Sequence, residues 1–178
     1  MFVRTRRLTL RPGWIEDAPE LAQAIAHWEV IRNLGRAPWP YGLADAEAFL
    51  RQPRRTCEAS FVILAHEGPC PRLVGGIGFG PYDDRPHEIG YWLTPSAWGR
   101  GYATEAGRAV IDIARTLRVP RLQGGHHLDN PASGAVLRKL GFVPTGTAMR
   151  YSRGRDAEVP CAEYALALSD EDDARMAA

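Results

Sequence analysis

Apolar and polar positions alternate or recur in a way that lays out most of the chain. Leu8-Thr9-Leu10-Arg11 alternates at strand spacing and is closed by Pro12. Asp17, with Glu20 three residues on, reads as a helix N-cap and its returning acid. Leu21, Ala22, Ile25 and Trp28 follow at helical spacing. Pro38 and Pro40 interrupt the chain around Trp39, and a short helix is predicted from Ala44 to Leu50 with Ala46, Phe49 and Leu50 inward. The middle is strand-like: Phe61 to Leu64, then Leu73 to Phe79, then Glu88 to Leu93, with turns at Gly68 to Pro71 and Asp83 to Pro86. The strongest helical pattern is Ala103, Ala106, Val110, Ile113, Ala114 and Leu117, which Pro120 should end. Leu122 to Leu128 reads as a weak strand. Asn130-Pro131 opens a helix that runs through Leu140 to a stop at Gly141. Gly146 to Tyr151 and Ala162 to Leu168 are the last strands, joined across Ser152 to Asp156. Strands and helices in this order predict a mixed-sheet α/β domain over residues 1–168, with an acidic, frayed tail over 169–178.

Composition changes this picture little. A chain of 178 residues is long enough to bury about 70% of its unfolded surface without metal or disulfide. Apolar residues are 45% and charged residues 24%, as in ordinary globular proteins. There is no apolar run of membrane-spanning length and no signal-like start, so a cytoplasmic protein without a membrane partner is expected. Cys57, Cys70 and Cys161 are widely spaced and read as free thiols. The 22 basic residues, of which only Lys139 is a lysine, are balanced by 21 acidic ones. That argues against a nucleic-acid partner and gives only a weak hint of acidic acceptors.

The chemistry concentrates in Pro95-Ser96-Ala97-Trp98-Gly99-Arg100-Gly101-Tyr102-Ala103-Thr104-Glu105-Ala106. A strand enters a glycine turn that opens straight into the best helix. The first amides of a helix lack internal partners and carry the positive end of its dipole. Gly99 and Gly101 let an anion approach the backbone, and Arg100 adds a guanidinium suited to phosphate. The segment lacks the Gly-Lys-Ser/Thr of a P-loop, and Thr104 occupies the third glycine position of a dinucleotide fingerprint. The second glycine cluster, Gly75 to Gly80, opens no helix and reads as a bulged or closely approached strand.

Trp98-Gly99-Arg100-Gly101-Tyr102-Ala103-Thr104-Glu105-Ala106 resembles the acetyl-CoA pyrophosphate loop of the GNAT N-acetyltransferases, in the RimJ/RimL branch. Thr5 to Pro12, Glu88 to Leu93, and Asn130-Pro131-Ala132-Ser133 with Val136 to Phe142 resemble other parts of that branch in the same order. The resemblance implies a single-domain GNAT fold with a splayed central sheet and acetyl-CoA as co-substrate. It implies that the backbone from Gly99 through Arg100, Gly101, Tyr102 and Ala103 to Thr104, together with Trp98, holds the pyrophosphate. It also implies that the backbone of Trp92, Leu93 and Thr94 pairs with the pantetheine arm, and that Asn130 and Ser133 lie near the arm and the sulfur. The acceptor is then an amine: a peptide N-terminus first, or a small amine such as a polyamine, amino acid or antibiotic. A silent acyl-CoA sensor and a nucleotide-phosphate binder are the rival readings, and the resemblance admits a homodimer.

Direct attack needs a neutral amine. An α-amine is roughly 10–15% neutral at pH 7 and a lysine below about 0.1%, so an N-terminal acceptor needs only modest base help. Glu88 is the leading base candidate, with Glu163 as a second; the alternative for Glu88 is an ordinary surface carboxylate. Ser133 would donate a hydrogen bond to the departing sulfur, unless it only caps the turn after Asn130. Tyr151 and Tyr164 are weaker acid candidates. Gln123-Gly124-Gly125-His126-His127 departs from the branched apolar strand usual there. Adjacent histidines on a strand face opposite ways, so no metal is expected. The loop from Gly35 to Tyr41, with Trp39, is a candidate acceptor wall.

Overall fold

The computed structural model describes residues 1–53, 58–68 and 70–169. Cys57 and most of the expected acidic tail lie outside them. In chain order the elements are β1 (Val3–Arg4), β2 (Leu8–Arg11), α1 (Ala18–Ile25), α2 (Trp28–Ile31), α3 (Leu43–Leu50), β3 (Ala59–Ala65), β4 (Arg72–Tyr82), β5 (Arg85–Leu93), α4 (Tyr102–Thr116), β6 (Arg121–His127), α5 (Pro131–Lys139), β7 (Val143–Ser152) and β8 (Ala157–Ala167). One mixed sheet runs β1-β2-β3-β4-β5-β6-β8-β7. Every neighbouring pair is antiparallel except β5 and β6. Among the described residues no helix is long and apolar enough to cross a membrane.

Both faces of the sheet are covered, which is why its central strands read as short apolar runs rather than clean alternations. Phe61 and Ile63 of β3 join Ala106, Val110 and Ile113 of α4 and Leu137 of α5 in one buried cluster. Val62, between them, joins Leu21 and Ile25 of α1 and Ile31 of α2 on the other face. Alternation on β5 follows the same rule: Ile89, Tyr91 and Leu93 face α4 and α5, whereas Trp92 packs on the α1–α3 side. The β4 glycines are a closely approached strand with a register step at its start, as expected. A Cβ on Gly75 or Gly78 would collide with the backbone carbonyls of Trp92 or Ala59.

Several local expectations change. Asp17 precedes α1, but its carboxylate does not cap it. It accepts two bonds from Arg11, each 2.7 Å, and one from the Trp14 N–H at 2.8 Å. Glu20 likewise turns outward, to the Leu73 N–H. A bidentate arginine and an unpaired strand amide are stronger partners here than the helix's own end. The first helix breaks at Ala26 (φ −71°, ψ 56°) and restarts as α2, with no glycine or proline to announce it. α4 ends at Thr116, before Pro120, with Arg118 at φ 56°. Phe49 is exposed rather than inward, and Leu128 lies exposed beyond the end of β6. β5 begins at Arg85, inside the segment read as a turn, and β1 is an added strand.

Candidate functional site

β5 and β6 meet in parallel at a single register pair, Glu88↔Gln123. Beyond it Ile89 to Leu93 pair only with β4, and Gly124 to His127 pair only with β8. The sheet therefore splays at its centre, as the resemblance implies, and Glu88 stands at the apex of the gap.

The Thr94 N–H bonds to the Val74 carbonyl at 2.9 Å. By the alternation of an antiparallel ladder, Trp92 and Thr94 direct their backbone groups to β4, while Tyr91 and Leu93 direct theirs into the gap. Of the expected edge Trp92-Leu93-Thr94, Leu93 faces the gap together with Tyr91, whereas Trp92 and Thr94 turn to β4. The Trp98 indole N–H closes on the Leu93 carbonyl at 2.8 Å, so Trp98 fixes the loop to the strand it follows.

The loop itself is built around two glycines in the left-handed region, Gly99 at φ 73° and Gly101 at φ 77°. A Cβ on Gly99 would meet nothing within 4 Å. Gly101 is the N-cap of α4 and no side chain caps that helix. The amides of Tyr102, Ala103 and Thr104 open its first turn, while the Tyr102 and Ala103 side chains are buried below. Open space over a glycine, an uncapped helix start and a strand edge open except at the Leu93 carbonyl, which Trp98 holds, fit a diphosphate joined to an extended amide-bearing arm. Arg100 is paired with Glu67 at 2.7 Å, an exposed and readily exchanged contact. An open groove of about 410 Å³ beside the loop is lined in part by Arg6, Thr104, Arg108 and Lys139.

Arg7, not singled out in the sequence, holds this loop from the β1–β2 hairpin. Its Nη1 donates to the Arg100 carbonyl at 2.9 Å, and its Nε and backbone N–H donate to Glu105. Thr5 adds a third bond to Glu105 at 2.7 Å. Burial works against the Glu105 anion, but these donors hold its carboxyl below the usual range.

On the α4–α5 face of the gap, the Tyr91 hydroxyl lies 2.9 Å from both the Oγ and the carbonyl of Ser133. Asn130 caps α5 by accepting from the Ser133 N–H at 3.4 Å. Asn130 and Ser133 are thus brought together, and Ser133 reaches the gap through Tyr91. Burial pushes the Tyr91 phenol up to about 12, so it stays a donor. Of the two tyrosines named from the sequence, Tyr151 is exposed and bonded to Asp156, and the Tyr164 hydroxyl accepts from Arg138 at 3.0 Å; Tyr91 is the tyrosine in contact with Ser133. The sequence signal for Tyr91 was its strand position, opposite in face to Glu88.

On the α1–α3 face, Glu88 is followed by Gly90, above which there is open space, and then by Trp92. Glu88 Oε2 accepts from Arg85 at 2.9 Å, and Arg150 donates to Oε1 at 2.8 Å and Oε2 at 3.0 Å. Glu163 shares the same two arginines. The two acids read as alternatives are therefore parts of one cluster. Burial raises the Glu88 carboxyl to about 7, opposed by Arg85 and reinforced by Asp83 and Glu163.

The histidines separate as alternation requires. His126 lies against Gly134 of α5 and Tyr164. His127 is buried on the other face, its Nδ1 3.0 Å from the Arg32 carbonyl, and burial lowers its pKa. That carbonyl also accepts from Arg155 Nε at 2.6 Å, and Asp129 binds Arg155 at 2.8 and 2.9 Å and Arg32 at 2.6 Å. This clasp ties the hairpin tip to α2 and the following loop, where Trp28 and Trp39 pack at 5.5 Å and stay half exposed. Arg155 first, then Arg32, hold the Asp129 carboxyl at about 2. A depressed carboxyl stabilises the fold above its unfolded pKa, near 4, and the contribution is lost as pH falls through about 2. Asp129→Asn should cost about 1 kcal/mol at pH 7, a few degrees in Tm. The difference should close in melts run near pH 2; a gap that persists there contradicts the clasp.

Comparison with known proteins agrees with this fold. The acetyltransferase (GNAT) domain family matches residues 7–143. The chain is 29% identical over 157 residues to the uncharacterized N-acetyltransferase p20 of Bacillus licheniformis, covering 85% of this chain and 87% of that protein. Its fold is similar to ribosomal-protein-S5-alanine acetyltransferase from Vibrio fischeri, with TM-score 0.79, 18% identity and coverage of 96% and 98%. It is also similar to RimL, the ribosomal L7/L12 alpha-N-protein acetyltransferase solved with coenzyme A, with TM-score 0.78, 20% identity and coverage of 94% and 98%. The chain belongs to the GNAT acetyltransferase family, as an acetyl-CoA-dependent N-acetyltransferase with a RimJ/RimL-like fold.

Proposed function

We propose that this enzyme acetylates the α-amine of a peptide or protein N-terminus, with the acceptor entering over Gly90 on the α1–α3 face. The observation that carries this reading is Glu88 at the apex of the gap, its carboxylate held by Arg85 and Arg150 beside the open space over Gly90; burial raises that carboxyl to about 7. A base of that strength suits an α-amine far better than a lysine.

Acetyl-CoA supplies an acetyl group activated as a thioester. The amides from Gly99 to Thr104 would hold its diphosphate, with Arg100 exchanging Glu67 for phosphate oxygen. The gap-facing N–H and carbonyl of Tyr91 and the N–H of Leu93, whose carbonyl Trp98 holds, would pair with the pantetheine arm as an added strand. Glu88 accepts the proton that the amine sheds as its nitrogen bonds to the acetyl carbon. The Tyr91 and Ser133 hydroxyls offer hydrogen bonds to the sulfur as the carbon–sulfur bond breaks. A thiolate leaving group of pKa about 8.5 needs a donor more than a full proton. Base and donors stand on opposite faces of the sheet, so acceptor and thioester approach from opposite sides.

The test is acetyl transfer to a panel of free-N-terminal peptides, N-blocked lysine peptides, polyamines, amino acids and aminoglycosides, read by product mass. Acetylation confined to peptide N-termini is expected. Acetylation of a small-amine class alone would contradict the acceptor.

A further inference from the structure

Gly125 is the least expected residue of β6, and the structure gives it a use. Arg150 sits on β7, two strands beyond β6 in the sheet, yet its guanidinium reaches Glu88 on β5. It does so by passing over Gly125: a Cβ there would stand 3.6 Å from Arg150 Cζ and Nη2, and 3.2 Å from the Ala162 carbonyl. Any longer side chain would occupy the path of the guanidinium.

We propose that Arg150, laid across Gly125 and counterbalanced by Glu163, is the positioning residue that aims the Glu88 carboxylate into the gap and sets its readiness to take a proton. The proposal rests on the reading of Glu88 as the base. The geometry behind it is a closed square of two acids and two arginines. Arg150 grips both oxygens of Glu88 through Nη1 and reaches Glu163 Oε1 through Nε and Nη2, at 3.4 and 3.2 Å. Arg85 bridges the same two acids. The four side chains are only 10–18% exposed, so their charges are weakly screened.

Among the described residues, further charged groups lie on this side of Glu88: Glu58 packs against Gly80, the β4 residue opposite Glu88. Asp83, from the β4–β5 turn, adds a negative charge, and Arg36 adds a positive one from the loop after α2. The Tyr82 ring lies under Arg36 at 4.2 Å and Arg150 at 5.5 Å. The Cys161 thiol, pushed up to about 11 by burial, stays neutral. Glu163 is thus the acid that competes with Glu88 for both of its arginines. The consequence is a pair of opposite effects. Loss of the Arg150 charge must make Glu88 easier to protonate. Loss of the Glu163 charge removes a repelling anion and leaves both arginines to Glu88, which must make it harder to protonate.

The experiment is a ¹³C-carboxyl titration of glutamate side chains in the free protein, with the Glu88 signal assigned by its loss in Glu88→Gln. Arg150→Met should move the Glu88 midpoint up by about one pH unit, and Glu163→Gln should move it down by a similar amount. Arg150→Lys keeps the charge but not the two-oxygen grip, and should move it up by less. Gly125→Val changes no charge, yet it should move the midpoint up by displacing Arg150. The acid limb of kcat/KM, measured with one acceptor throughout, should follow each midpoint, about tenfold in rate per pH unit on the limb. Midpoints that stay put, or that move the same way in Arg150→Met and Glu163→Gln, overturn the proposal. The titration needs neither acetyl-CoA nor acceptor, so that failure is distinct from failure of the base reading. The base reading falls if Glu88→Gln keeps the wild-type limb, and the positioning role falls with it.

Discussion

Glu88→Gln should lower kcat/KM about 100-fold at pH 7, within the usual range for loss of a general base. The deficit should shrink as pH rises past the pKa of the acceptor α-amine, because the neutral nucleophile then exists without help. The wild-type rate should climb through pH 7 as Glu88 loses its proton, and the variant should lack that limb. Acetyl-CoA affinity should be unchanged, since Glu88 stands on the face away from Tyr91 and Ser133, at the other end of β5 from the glycine loop. A rate–pH profile with parallel titration calorimetry checks all three. A deficit of the same size at every pH would remove the base role and leave Glu88 as an ion-pair partner only.

Gly99→Val attacks the other half of the site. At φ 73° a branched residue is strained by roughly 1–2 kcal/mol, and its side chain would fill the open space over the loop. Reshaping the loop removes backbone bonds to a charged ligand, each worth about 1.5–3 kcal/mol. Acetyl-CoA binding should therefore weaken about 100-fold, while the fold persists because nothing packs on Gly99. Calorimetric titration of the variant checks this, with circular dichroism to show that it is folded. A folded Gly99→Val that binds acetyl-CoA as the wild type does would move the diphosphate elsewhere.

How much of this was legible in the sequence depended on how local the cause was. The α4 pattern and the glycines before it specify a helix and its open end from adjacent residues, and both stand where expected. The Asn130-Pro131 start and the Gly141 stop of α5 are equally local. Local signals misled where a distant partner won. Asp17 has the chemistry of an N-cap, but Arg11 claims it. The helix breaks at Ala26 before the buried Val30 and Ile31, with no glycine or proline among the neighbouring residues to signal it. At the proposed site, Glu88 and Ser133 were singled out by strand and motif position. Arg150 was not, because its reach to Glu88 depends on a sheet order in which β8 precedes β7 and on a glycine that clears the way. Tyr91 was within reach of the sequence, since a two-residue period sets it opposite to Glu88. Arg7 needed the β1–β2 hairpin folded against the start of α4.

The central claim is that the glycine loop and the β5–β6 gap together form the acetyl-CoA site. The most direct measurement is amide mapping of the ¹⁵N-labelled protein during titration with acetyl-CoA. The account predicts that the amides of Gly99 to Thr104 shift together with those of Tyr91 and Leu93, while Trp92 and Thr94, turned toward β4, move less. Saturable binding that leaves the Gly99–Thr104 amides and those of Tyr91 and Leu93 unmoved would contradict it.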